Sequence, residues 1–204
     1  MIQKFARGVI RFRWWIIVMV LAAVAVAGSG ARFLQFSSSY RDFFSTQNPQ
    51  LNAFDELQNT YSKNDNVLFV VAPKDGNVFT PDTLAAVQWL TKESWQMPYS
   101  RRVDSITNFQ HTQAEGDSLV VRDLVDDPSA LTVAGLEETK RIAVSEPLLV
   151  DRLISPRAHV TGINVTVVLP EKSLAEVPEV VGFARKLITQ AKQRYPNIAI
   201  HLTG

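Results

Sequence analysis

Three histidines, His111, His159 and His201, are the only ones in the 204 residues. No two of them stand three or four positions apart, so no helix can present them as a ready metal pair, and any metal would have to recruit acids from afar. The chain has no cysteine, which removes thiolate metal sites and disulfides from consideration. FQHTQAEGDSL brings His111 near Glu115 and Asp117, residue types that could exchange protons. A general acid or base needs a reacting group to act on, and no nucleophile accompanies this one. The stretch reads as a solvated hairpin turn. Asp126-Asp127 has the look of a calcium-loop fragment, yet oxygen ligands at alternate positions are missing and Pro128 follows. There is no G-x-S-x-G elbow, P-loop or G-x-G-x-x-G. Asn164-Val165-Thr166 matches a glycosylation sequon but falls inside a predicted strand. Trp89 and Trp95 read as helix-packing residues. The residues therefore predict no enzyme, no catalytic residue, no metal and no cofactor.

The elements that would position any site begin with RFRWWIIVMVLAAVAVAGSGARF. From Trp14 to Ala31 there are 18 residues without a charge, about 27 Å of helix against a hydrocarbon core of roughly 30 Å. Lys4, Arg7, Arg11 and Arg13 precede the run, and Trp14-Trp15 stand where an interfacial aromatic anchor belongs. The expected organisation is a basic cytoplasmic tip over 1–13, a membrane helix over 14–36 and an exported domain over 37–204. A cleavable signal peptide is the competing reading, because Ala25-Val26-Ala27 resembles an A-x-A site. The apolar character continues past that site as far as Phe36, which favours a helix that stays. No polar face appears over four turns, so a buried helix of a soluble protein fits least. Beyond the tip, 17 basic residues meet 20 acidic ones. That body lacks the dense basic stripe that nucleic acid phosphates require.

In the exported part, Asn48 is expected to cap a short helix in NPQLNAFDELQNTY, with Pro49 in its first turn and Leu51, Phe54, Leu57 and Tyr61 on one face. NVLFVVA reads as a buried strand, and PKDGN as a turn. A second helix, capped by Thr80 and opened by Pro81, carries Leu84, Val87, Leu90 and Met97. RRVDSITNF reads as a strand and HVTGINVTVVL as another. The next helix runs to about Tyr195 with Val177, Val181, Ala184, Ile188 and Ala191 on one side, Glu176 and Glu179 lying away from them. NIAIHLT is the last strand. The order strand–helix–strand, insertion (about 110–158), strand–helix–strand predicts an α+β, ferredoxin-like split βαβ sheet. The insertion is expected to hold a hairpin at Glu115-Gly116-Asp117 and short helices around LEETKRIAV and PLLVDRLI.

Taken together and in order, YRDFFSTQNPQLNAFDELQNTY, NVLFVV, VDSITNFQHTQAEGDSLVVRDLV, HVTGINVTVVLP, EVPEVVGFARKL and IHLTG resemble the RND superfamily of exporters. Within it they are most similar to the MMPL-like branch that moves hydrophobic and lipid-like molecules. The resemblance implies the first membrane helix and first periplasmic porter loop of a longer transporter, in a bacterial inner membrane, driven by the proton-motive force. Its implied partners are the bilayer, the remaining membrane helices, a second porter loop and a hydrophobic substrate, with oligomers left open. The family's proton-relaying carboxylates lie in a later membrane helix, and no residue here corresponds to them. Phe43 and Phe44, two adjacent aromatics just beyond the membrane helix, are the candidate residues of a substrate path. The alternative is a single-pass anchored binding or sensor domain, and a third reading is a secreted enzyme released after Ala27.

Overall fold

The computed structural model describes residues 10–33, 43–45, 47–60, 65–170 and 172–204. Lys4, Arg7, Phe36 and Tyr61, named above, lie outside them. The chain divides into two compact units, Met1–Ser45 and Thr46–Gly204.

The first unit is built on helix α1 (Arg13–Ser29), which ends in a 3₁₀ turn, Gly30–Phe33. Its side chains are apolar all round and none is buried. A helix that is greasy on every side and unpacked on every side has no protein core to satisfy it. The span Arg13–Arg32, of mean hydropathy 2.1, is long and apolar enough to cross a membrane, as a signal sequence near an N-terminus also is.

The second unit is α+β. Helix α2 (Pro49–Thr60) opens it, and the Asn48 side chain accepts from Gln50 N at 2.9 Å and Leu51 N at 3.3 Å, the expected cap. Strand β1 (Asp65–Pro73) is followed by α3 (Pro81–Ser94), whose Thr80 cap accepts from Thr83 N at 3.2 Å with Pro81 at the first helical position. Next come β2 (Ser100–Asp104) and a hairpin of β3 (Gln110–Glu115) and β4 (Ser118–Asp123). After the hairpin lie α4 (Val133–Ser145), β5 (Thr161–Val167), α5 (Glu176–Arg194) and β6 (Ile198–Thr203).

Four strands form one sheet in the order β2-β5-β1-β6, and every neighbouring pair is antiparallel. Since β1 and β2 are each antiparallel to β5, they run parallel to one another with β5 between them. The same holds for β5 and β6 about β1. Each of these parallel pairs is joined through a helix, α3 in one case and α5 in the other. The alternation of side chains along a strand assigns the faces through the register Val67↔Val165, Phe69↔Ile163, Val71↔Ile200. This face is buried and shares one core with Leu84, Val87 and Leu90 of α3 and Val180, Ala184 and Leu187 of α5. Trp89 of α3 meets Tyr195 at 6.2 Å between ring centroids, with the Arg194 guanidinium 5.4 Å from the Trp89 ring, so it packs helices as expected. Trp95 is half exposed.

The hairpin β3–β4 forms a separate two-stranded sheet. Gly116, at φ +60°, starts its two-residue turn, a left-handed position that a side chain would strain.

Three expectations need correction. The strand in RRVDSITNF stops at Asp104. There Ser105 N donates to Asn108 Oδ1 at 2.8 Å and Asn108 Nδ2 to Val103 O at 2.7 Å, so side chains take over the backbone bonds a longer ladder would need. PLLVDRLI is not a helix. Its Leu149 carbonyl collects the N–H groups of Arg152, Leu153 and Ile154, and Asp151 sits at φ +60°, which interrupts helical propagation. Finally, the buried stripe of α5 is Glu176, Val180, Ala184, Leu187 and Ala191, and Val177 is exposed. Glu176 is buried because its Oε1 turns back to accept from Lys172 N at 2.8 Å and Ser173 N at 3.0 Å. Capping the chain's entry into the helix fixes the rotation of its first turn.

Candidate cleft on the open face of the sheet

The second face of the sheet carries the alternate residues: Asn66, Leu68 and Val70 of β1, Gly162, Asn164 and Thr166 of β5, Arg102 and Asp104 of β2, His201 of β6. Among the described residues no helix closes this face as α3 and α5 close the other. The segment from Glu146 to Ser155 flanks it, joined to β5 beyond the end of β2 by a bridge between Ile154 and Thr161 and by Gly162 N donating to Leu153 O at 2.8 Å. We refer to this segment as the strap. Leu149 and Ile154 are its buried anchors. A Cβ at position 162 would stand 3.1 Å from Leu68 Cδ1 and 3.9 Å from Leu153 Cδ2. The absence of a side chain on Gly162 is what lets those two leucines close over β5.

The strap leaves a cleft of about 660 Å³ on one side and a smaller one of about 280 Å³ on the other, with Leu68, Arg152 and Leu153 lining both. The larger volume lies within the roughly 300–1,000 Å³ usual for small-molecule sites. Its walls are of two kinds. Leu68, Leu148, Leu149, Leu153 and Phe109 supply apolar surface, while Asn66, Asn164, Arg102, Asp104 and Arg152 supply polar groups. Asn66 Nδ2 donates to Asn164 Oδ1 at 3.1 Å across β1 and β5. Arg102 Nε donates to Asp104 Oδ1 at 2.7 Å, so the one carboxylate in the lining is already paired. Ser105 and Asn108 are engaged with each other and with Val103 O. Arg152, by contrast, makes no side-chain hydrogen bond or ion pair among the described residues. The geometry offers a groove of mixed lining, in which polar side chains outnumber apolar ones and the exposed Arg152 takes part.

The residues singled out in the sequence fall elsewhere. Phe43 is 87% exposed and Phe44 is 50% exposed, both in the unit Met1–Ser45; the cleft belongs to Thr46–Gly204. His111 lies on β3 opposite Arg122, and Glu115 is paired with Arg122 across the hairpin, so that trio holds a turn together. Asp127 accepts from Ser129 N at 2.9 Å and Ser129 Oγ at 2.7 Å; this pairing, led by the hydroxyl, holds its carboxyl below the usual range. It caps the turn Pro128–Ala130. His159 Nδ1 lies 2.9 Å from Ser155 Oγ, a contact that the spacing did not reveal. The same oxygen accepts from His159 N and Val160 N, both at 3.1 Å, so the pair closes the end of the strap. Among the described residues no three His, Asp or Glu side chains gather as a metal site would require. The cleft itself was invisible in the sequence, since its walls come from β1, β2, β5 and the strap. The alternation of Asn66, Leu68 and Val70 beside the half-buried Val67 and the buried Phe69 and Val71 was its only local signal.

The fold and cleft define a class: an α+β sheet module holding a ligand-sized groove, on a chain that also carries an apolar helix of membrane-spanning length. No family model and no curated protein matches the chain.

Proposed function

We propose that the chain is the N-terminal part of a proton-motive-force-driven exporter of hydrophobic or lipid-like substrates, in which α1 is the first membrane helix and the α+β unit a periplasmic porter module. The observation that carries this reading is an unpacked apolar helix of membrane-spanning length on a chain whose α+β unit holds a ligand-sized cleft of mixed polar and apolar lining. A groove that offers both leucines and polar groups can take a molecule with an apolar and a polar part. The strand order β2-β5-β1-β6, with α3 and α5 each joining a parallel pair, supports a ferredoxin-like split βαβ arrangement. In this reading the N-terminus is cytoplasmic, the module faces the periplasm of a bacterial inner membrane, and proton coupling resides in helices beyond these residues.

The test is efflux of a hydrophobic dye from cells carrying the full-length protein. Export that a protonophore abolishes is expected, and replacing Phe43 and Phe44 together with serine should lower it at unchanged expression. Dye export indifferent to the protonophore would overturn proton coupling. Absence of export, with the module still binding hydrophobic molecules, would leave the anchored binding or sensor domain in its place.

A further inference from the structure

The two edges of the four-stranded sheet are finished differently. At one edge, β2 is short, is bulged between Ser100 and Arg102, and exposes Arg101 and Arg102, devices that keep a foreign strand from pairing. At the other edge, β6 has none of them. It pairs with β1 without a register shift from Thr203 to Ile198 and holds no lysine, arginine, acid, proline or glycine. Lys74 N donates to Asn197 O at 3.2 Å, one step beyond the last pair, Pro73↔Ile198. Antiparallel pairs alternate between bonded and unbonded, so Ala199, His201 and Thr203 bond β1, while Ile198, Ile200 and Leu202 turn their N–H and C=O groups outward. Among the described residues no strand meets them. The helix layer has a matching deficit. Val177 of α5 is exposed, Val181 and Ile188 on the same flank are half-buried, and Val177 and Val181 share a groove with Leu202 and Thr203 of β6. This flank faces the β6 side, whereas Glu179, bonded to Tyr99, marks the flank toward β2.

We infer that β6 is the interface of a two-fold dimer, in which the β6 strands of two copies pair antiparallel about Ile200 and join two sheets into one. The occupant follows from the symmetry of the edge itself. The three outward residues are centred on Ile200, so a two-fold axis there sets Ile200 on Ile200 and Ile198 on Leu202, exchanging bonds at each pair. Their side chains lie on the helix-covered face and all are apolar, so each core continues into the next. Each helix covers two strands, α3 packing on β2 and β5 and α5 on the β6 side, or about 10 Å of sheet. Helices pack at about that distance, so the apolar flanks of the two α5 helices meet when the strands meet. A single strand of another protein would satisfy the edge and leave that flank exposed. A second copy satisfies both. This goes beyond the transport reading and does not depend on it.

The chain has no cysteine, so introduced thiols report the pairing in the full chain, in vesicles from cells that express it. In the proposed register Ala199 of one copy stands opposite His201 of the other, at an unbonded pair where side chains approach closely. Vesicles holding an Ala199→Cys chain together with a His201→Cys chain are oxidised with copper phenanthroline. They should give about tenfold more cross-linked dimer than either variant alone, or than Arg101→Cys on the opposite edge, because only the mixed pair meets the separation a disulfide requires. Leu202→Pro removes an outward N–H that β1 does not use; it should abolish the cross-link with near-UV circular dichroism unchanged. Leu202→Ala, which gives up the same packing, should keep most of it. Val177→Lys puts a charge into the exposed flank of α5, where folding is not at stake. It should lower the cross-link several-fold, and it decides the matter if Leu202→Pro does not fold. No cross-link, equal cross-linking by Ala199→Cys alone, or a cross-link indifferent to these variants would each overturn the inference. So would oxidation that joins position 199 or 201 to a different protein in place of a second copy.

Discussion

Leu148 and Leu149 are chemically identical neighbours in the strap, and the fold treats them in opposite ways. Leu149 is 1% exposed and Leu148 is 59% exposed. Truncating Leu149 to alanine removes three carbon atoms from a filled site, about 2.4 kcal/mol of transfer free energy at about 0.8 kcal/mol per group. A residual cavity adds to that, and about 3 kcal/mol in total is expected. For a module of this size that is about 6–12 °C in melting temperature. Leu148→Ala removes the same atoms from solvent-facing surface and should stay within about 0.5 kcal/mol. The assay is thermal denaturation of the intact protein in detergent, followed by near-UV circular dichroism and tryptophan fluorescence, to which half-buried Trp89 contributes. Reading tertiary signals keeps the micelle-embedded helix from obscuring the transition. Similar losses at both positions, or a larger one at Leu148, would refute the seating of the strap on the sheet and with it the division of the open face into two clefts.

Val20→Lys places a charge in the middle of α1 and should cost about 2.5–3.5 kcal/mol of insertion free energy, shifting the protein out of the carbonate-resistant membrane fraction; unchanged retention would argue that α1 does not lie in lipid. Tyr99 Oη donates to Glu179 Oε2 at 2.9 Å, and that bond, then burial, then the Glu179 charge, raise the phenol above its ordinary value. The folded state thus holds this proton more tightly than the unfolded chain does. The resulting stability is complete below the unfolded pKa and is lost as pH climbs through the folded one. An ultraviolet difference titration should show one tyrosine ionising late, and Glu179→Ala should return it toward the normal range.

The parts of this fold that rest on local chemistry were legible in the sequence. Asn48 and Thr80 announce helix starts because a side-chain oxygen next to an orphan N–H is a local bargain, and both make the expected bonds. The valine-rich runs became β1 and β5 because a continuous apolar stretch of strand length needs burial on both sides of the pleat or close to it. What failed depended on contacts made at a distance. PLLVDRLI has helical periodicity, yet Leu149 and Ile154 are buried by residues well removed in sequence, and Asp151 turns left-handed to allow it. The stripe of α5 keeps the expected Ala184 and Ala191 but is centred on Glu176, Val180 and Leu187 rather than Val177, Val181 and Ile188, because Glu176 is engaged with the backbone of Lys172 and Ser173, which a count of apolar spacings does not register. Phe43 and Phe44 were singled out as adjacent aromatics, a pattern that says nothing about which strands and loops converge elsewhere.

A sheet with helices on one side must still do something with the other. If the open face were simply solvated, Leu68 and Val70 would have little reason to occupy it, since alternation would place polar residues there. Were it instead a second core, Asn66, Asn164 and Arg102 would be costly lining, because buried polar groups demand partners throughout. The face does neither. Leu68 is half-buried beside the strap, the two asparagines share one hydrogen bond at 3.1 Å, and Arg152 is exposed. This intermediate composition is stable without a ligand because each polar group has a protein partner or reaches water. The same balance explains why the strap is anchored at Leu149 and Ile154 while Leu148 stays exposed between the sheet and solvent: a segment seated at two points keeps the groove open beside it.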